Sequence, residues 1–127
     1  MLFSQKTVKP WGWEILFTPS NLPYTGKILL IKAGKKLSLQ YHDQKQETLC
    51  LLEGEGILWL EDNNNQINKL PLRPKTGYTI NQGQKHRVEA IKDCLIVESS
   101  TPETGKTYRV EDDYGREDEK LTEKESK

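Results

Sequence analysis

The sequence predicts an all-β fold, a small antiparallel sandwich or barrel, on three observations. Apolar and polar residues alternate with period two over most of the chain, and no long stretch has helical periodicity. Clusters of turn-forming residues interrupt the alternation at spacings near ten residues, which is the cadence of short strands. The 127 residues suffice for one hydrophobic core and not for two. Closing such strands on one another would also remove vulnerable sheet edges.

Each element has its own justification. The run "VKPWGWEILF" (8–17) contains the strand "WEILF" and offers an exposed aromatic N-terminal edge that a second subunit could cover, so a homodimer is expected. "PSNLPY" ends it with two prolines, and "TGKILLIKA" (25–33) follows as an apolar strand closed by "AGK". "KLSLQYH" (36–42) alternates almost purely. After "HDQKQ" comes "ETLCLLEG" (47–54), then the "GEG" turn and "GILWLED" (56–62). "DNNNQ" is a hairpin loop with no assigned chemistry. Beyond it lie "INKLPL" (67–72), "GYTINQ" (77–82), "HRVEAI" (86–91) and "CLIVESS" (94–100), separated by "RPKTG", "QGQK" and "IKD". The domain is expected to span 1–116. From 117 the tail "EDEKLTEKESK" carries charges of both signs and almost nothing apolar, so it is expected to be disordered or a frayed helix.

Composition excludes several function classes. Lys plus Arg and Asp plus Glu both total 19, so net charge is zero, which argues against nucleic acid or an anionic membrane surface as the main partner. No apolar run approaches the roughly 18 residues of a membrane span, and "MLFSQKTVKPWGW" has no apolar core of signal-peptide length. Cys50 and Cys94 each sit in an apolar strand-like run and read as small buried hydrophobes. The expectation is a soluble, reduced, cytoplasmic protein.

The chemistry concentrates in "LSLQYHDQKQETLCLLEGEG". Ser38, Gln40 and His42 share one strand face, and Glu47, Leu49 and Leu51 share a face of the next. A hairpin here would bring Gln40, His42 and Glu47 within a few ångströms of one another. The other histidine, His86, opens "HRVEAI", and a third strand could deliver it to the same place. Neutral imidazole suits zinc, iron, nickel or manganese, and amide and carboxylate oxygens suit a borderline or harder divalent ion. The competing reading is a polar cluster that satisfies itself by hydrogen bonds in the barrel mouth.

The spacings carry a resemblance. Gly34 precedes Gln40 by six residues, Glu47 follows His42 by five, and Gly54 follows Glu47 by seven; in "GYTINQGQKHRVEA", Gly77 and Gly83 precede His86 by nine and three. These two blocks resemble the two motifs of the cupin superfamily over about residues 24 to 100, with Gln40 at the first histidine position and Asn81 where proline is usual. Within it, "LSLQYHDQKQE", "KPWGWEILF" and "YRVEDDYGRE" are similar to segments of type II mannose-6-phosphate isomerases, the cupin domain often fused to a mannose-1-phosphate guanylyltransferase. Lys9 and Lys45 stand where that family has arginine, and Thr48 and Leu49 replace its usual "HW".

The resemblance implies a cupin jelly-roll (double-stranded β-helix) barrel, a divalent metal, zinc by family, held by Gln40, His42, Glu47 and His86, and a sugar-phosphate substrate. It implies aldose–ketose isomerisation of mannose 6-phosphate to fructose 6-phosphate, and the alternative is a non-catalytic metal-containing cupin that binds a sugar or sugar nucleotide. Arg87, Arg109, Arg116, Lys9 and Lys45 could meet a phosphate, through a guanidinium fork or an ammonium point charge, or could be exposed salt-bridged side chains. Arg109, which is in the family motif, and Lys45, between His42 and Glu47, are the expected catalytic residues. Lys9, Arg87 and Arg116 are the expected substrate-binding ones. Trp11 and Trp13 could stack on a sugar or belong to the core or a dimer interface. No general base is identified by the sequence.

Overall fold

The computed structural model describes residues 1–121. Among them are twelve strands and no helix: β1 (Gln5–Lys9), β2 (Gly12–Leu16), β3 (Thr25–Ile31), β4 (Leu39–His42), β5 (Glu47–Glu53), β6 (Gly56–Glu61), β7 (Ile67–Pro71), β8 (Gly77–Ile80), β9 (His86–Ala90), β10 (Cys94–Ser100), β11 (Gly105–Glu111) and β12 (Glu119–Leu121). They form two six-stranded sheets, ordered β1-β2-β3-β10-β5-β8 and β12-β11-β4-β9-β6-β7, and the strand pairings are antiparallel. No helix among the described residues is long and apolar enough to cross a membrane.

The period-two pattern determines which side chains enter the space between the sheets. Leu29 and Ile31 of β3, Leu49 and Leu51 of β5, Leu58 of β6, Val88 and Ala90 of β9, and Cys94 and Ile96 of β10 point inward and form one buried cluster. Each fully buried aliphatic side chain contributes about 1.5–3 kcal/mol through removal from water. Cys50 and Cys94 are free thiols; Cys94 is fully buried and Cys50 half-buried.

Three differences from the sequence expectation matter for the site. First, β4 and β5 do not form a hairpin. β4 pairs with β9 and β11, β5 pairs with β10 and β8, and residues 43–46 carry the chain from one sheet to the other. Second, β1, β11 and β12 go beyond the strands read from the sequence; β1 and β11 are largely half-buried or exposed and show little alternation of apolar residues. Third, the tail expected to be disordered or a frayed helix contributes the strand Glu119–Leu121, which pairs with Gly105–Thr107 of β11. The rest of that expectation, residues 122–127, lies outside the described residues.

Of the spaced glycines, Gly77 opens β8, whereas Gly54 and Gly83 lie at turns. Gly54, at φ +106°, links β5 to β6, and a Cβ there would meet the Asp93 carbonyl oxygen at 2.0 Å, so no other residue fits. Gly83, at φ +77°, turns the chain ahead of His86, and its N–H donates to the His42 carbonyl at 2.7 Å. That bond ties the two histidine-bearing segments together.

Candidate metal centre

Two strands of one sheet and one strand of the other deliver the site. Gln40 of β4 pairs with His86 of β9, so these side chains start as neighbours, and His42 lies two residues further along the same inward face. Glu47 opens β5 in the facing sheet and points across the gap; both histidines and Glu47 are buried. His86 Nε2 lies 2.9 Å from Glu47 Oε1, and His42 Nε2 lies 3.5 Å from the same oxygen. One ligand atom from each of His42, Glu47 and His86 falls within 4.8 Å of the others, so the group can hold a metal ion.

Tautomer chemistry tests whether a cation fits. His86 Nδ1 lies 2.9 Å from the Gln84 carbonyl oxygen, which can only accept, so Nδ1 carries the hydrogen. In the neutral ring, Nε2 then presents a lone pair toward a carboxylate oxygen. His42 Nδ1 lies 2.8 Å from Thr107 Oγ1, and donation to that hydroxyl leaves its Nε2 in the same state. Both Nε2 atoms are buried and lack a hydrogen-bond partner. Two imidazole lone pairs and a carboxylate oxygen aimed at one point repel one another unless a positive charge lies between them. Burial lowers the pKa of His42 and so favours the neutral, ligating form. The residues fit a divalent cation. Gln40 lines the same cavity, and its Oε1 accepts a 2.6 Å hydrogen bond from Ser38 Oγ, which fixes the orientation of the amide.

Behind Glu47 lies a buried ionic cluster. Lys45 Nζ is 3.3 Å from Glu47 Oε2, 3.0 Å from Glu98 Oε2 and 3.5 Å from Glu103 Oε1. Lys27 bridges Glu103 and Glu14, the latter at 3.4 Å. Lys45 therefore occupies one carboxylate oxygen of Glu47, while Oε1 faces the histidines. Burial alone would push Glu47 up, but the Lys45 ammonium and the two histidines together outweigh it and hold the carboxyl well below the usual range. Glu103 is likewise lowered to about 2, since Lys45 and Lys27 outweigh burial. Burial and the Glu47 charge push Glu98 up to about 8. Burial would lower Lys45, yet its three carboxylates raise it well above the ordinary lysine value. These groups surround a cavity of about 90 Å³. Its walls continue outward to Lys9, Arg109, Arg116 and Glu119, which also line an open basin of about 630 Å³.

The structure brings Gln40, His42, Glu47 and His86 together, and it separates the expected cationic residues. Lys45 is buried, and the carboxylates of Glu47, Glu98 and Glu103 raise its pKa and favour the charged form, which suits an electrostatic role better than that of a base. Arg87 follows His86 and so points to the opposite face of β9. Its Nε donates to the Leu37 carbonyl at 2.9 Å, and its guanidinium lies over Trp59, 3.4 Å from Asp113. It lies outside the cavity walls and is not placed to meet a substrate there. Lys9, Arg109 and Arg116 ring the mouth. Arg109 is engaged by Glu117 and Glu119, and Arg116 by Asp112 at 3.0 Å. Trp11 is buried and lines the cavity, whereas Trp13 is half-buried beneath Lys6.

Sequence reasoning missed Glu14, Lys27, Glu98, Glu103 and Thr107, all of which line the cavity. A signal existed for three of them. Glu14 shares parity with buried Leu16, Lys27 with Leu29 and Ile31, and Glu98 with Cys94 and Ile96. A charge on the inward parity of an apolar strand must be paired. Glu103 lies outside any strand and carried no such mark.

No protein-family model matches the chain, and no curated protein matches it in sequence. Solved structures do match in fold. Oxalate decarboxylase from Bacillus subtilis at pH 4.6 superposes with a TM-score of 0.74 at 15% identity, covering 87% of this chain and 32% of that one. The capsular polysaccharide assembling protein CapF from Staphylococcus aureus gives 0.65 at 16%, covering 94% and 32%. KdgF from Halomonas sp. gives 0.62 at 16%, covering 79% and 86%. The chain thus spans about a third of the length of the first two. At these identities the likeness concerns fold alone, and that fold is the all-β cupin.

Proposed function

We propose that this cupin-fold chain is a metal-dependent sugar-phosphate isomerase of the mannose-6-phosphate isomerase type that its motifs resemble. One observation supports the reading above all others. Two buried, unpartnered imidazole Nε2 atoms converge with Glu47 Oε1 at the base of a cavity whose mouth carries Lys9, Arg109 and Arg116. A divalent ion such as zinc, held by His42, Glu47 and His86 with Gln40 beside them, would supply Lewis-acid polarisation of a sugar carbonyl. The chain's own residues do the rest. Gln40, oriented by Ser38, presents its amide to the cavity. Glu98, which lines the cavity, is the candidate for the base that the sequence left unidentified. Its carboxyl lies one ammonium away from Glu47, and burial and the Glu47 charge push it up to about 8, which suits a group that takes up and returns a proton. Lys9, half-buried at the mouth, makes no ion pair among the described residues and is the cation open to a phosphate.

A second reading has its own support. Lys45 is engaged by three carboxylates that favour its charged form, and both mouth arginines are engaged by internal oxygen atoms. These features suit a metal-containing cupin that binds a sugar or sugar nucleotide without turnover. A coupled assay on zinc-loaded protein against several hexose 6-phosphates separates the two. Conversion of mannose 6-phosphate that chelator abolishes and added metal restores supports the isomerase; tight sugar binding with no conversion overturns it in favour of the binding module. We also propose a homodimer joined through β1, a sheet edge on which Val8 is 80% exposed. A monomer mass by light scattering at micromolar concentration would refute the dimer.

A further inference from the structure

We propose that Glu119 sets the charge specificity of the mouth, as an internal carboxylate that an anionic ligand must displace from Arg109. The inference rests on the sugar-phosphate reading above and adds the residue that decides whether the phosphate end is accepted. Arg109 projects from β11 between the inner cavity and the outer basin. Its Nη2 donates to Glu119 Oε1 at 3.0 Å, its Nη1 donates to the Glu117 carbonyl oxygen, and its Nε is buried without a partner. A carboxylate on a guanidinium presents the same acceptor geometry as a phosphate edge. The chain therefore fills its own anion receptor.

The displacement needs only a side-chain rotation. β12 is held to β11 by backbone pairing, by the Arg109 N–H donating to Asp118 Oδ1 at 2.8 Å, and by Lys106 at 3.7 Å from Asp118. None of these contacts uses the Glu119 carboxylate. The Glu119 side chain is 34% exposed and that of Arg109 only 11%, so the carboxylate can swing to water while the guanidinium stays. Around the basin, the cations Lys9, Arg109 and Arg116 meet the acids Glu117, Asp118 and Glu119 in equal number. Neutralising Glu119 tips that balance toward anion binding without moving a cation.

The test uses the zinc-loaded 127-residue chain and titration calorimetry with mannose 6-phosphate, mannose and inorganic phosphate as probes. Glu119→Gln keeps an acceptor oxygen for Arg109 and removes the charge. It is expected to tighten mannose 6-phosphate on the order of tenfold while leaving mannose unchanged. An equal gain for inorganic phosphate supports recognition of the phosphate group itself, and a gain confined to mannose 6-phosphate supports recognition of the sugar-borne group. In an Arg109→Gln background the Glu119→Gln gain should vanish, which a merely structural role of Glu119 would not produce. Unchanged or weaker mannose 6-phosphate binding in Glu119→Gln, or an equal gain for mannose, overturns the inference while the function stands. Failure of wild type and every variant to bind mannose 6-phosphate overturns both.

Discussion

Replacing Lys45 by methionine removes the ammonium from the ionic cluster behind the metal centre while nearly preserving side-chain volume. Lys45 is 4% exposed, and its Nζ lies within 3.5 Å of carboxylates from Glu47, Glu98 and Glu103. Breaking a buried ion pair by deleting one partner costs about 3–5 kcal/mol, because the remaining charge is left uncompensated. With ~4 °C of melting temperature per kcal/mol for a domain of this size, the drop should be roughly 12–20 °C. The pair Lys92–Glu55 is the internal control: the same residue types stand 4.0 Å apart with side chains 75% and 60% exposed. Lys92→Met should cost less than about 0.5 kcal/mol. Glu103, with its carboxyl lowered to about 2, adds stability that is present above the ordinary carboxylate value and is lost as pH falls through 2. Lys45 is one of the two cations responsible. The Lys45→Met deficit should therefore be full at pH 7 and smaller at pH 3. Urea unfolding of chelator-treated protein, followed by tryptophan fluorescence, measures both. A deficit below about 1 kcal/mol at pH 7, or one equally large at pH 3, would refute the reasoning.

Other outcomes follow from the same geometry. His86→Ala should abolish stoichiometric zinc binding, as read by metal analysis, yet retain a cooperative unfolding transition, because the aliphatic cluster between the sheets does not depend on the metal. Arg87→Ala should cost about 2–3 kcal/mol, since the buried guanidinium bonds the Leu37 carbonyl and covers Trp59, and should leave sugar binding by calorimetry unchanged. Glu98, raised to about 8, contributes stability that is fully present below the ordinary glutamate value and lost as pH rises through 8. Metal-free protein should therefore lose a few kcal/mol of this contribution between pH 5 and 8, and Glu98→Gln should flatten that part of the profile in urea titrations. A slope that persists in the variant assigns the effect to another group.

By itself the sequence determined the parity of each strand, and through parity much of the core and the site. Leu49 and Leu51 had to share a face with Glu47, and Gln40 with His42, because successive side chains on an extended backbone alternate sides. The turn signals "GEG" and "QGQK" also marked Gly54 and Gly83 as turn positions, since a positive φ or a close backbone approach leaves only glycine comfortable. What parity cannot state is which strand lies opposite which. The chain between His42 and Glu47 has the length of a hairpin loop, yet the partners of β5 are β8 and β10, dozens of residues away. The two residues therefore meet across the gap between sheets and not along one of them. The same non-local pairing decided the fate of the charges. Glu98 faces Lys27 across the β3–β10 ladder, and together with Lys45 and Glu103 they form a cluster drawn from four separate stretches of sequence. Arg87 and His86 are adjacent in sequence, yet a single step along the strand turned one outward to Trp59 and the other inward to Glu47. Ionisation was settled there too, because the charge a buried group carries depends on the summed field of its neighbours, and only the tertiary structure brings those neighbours within reach.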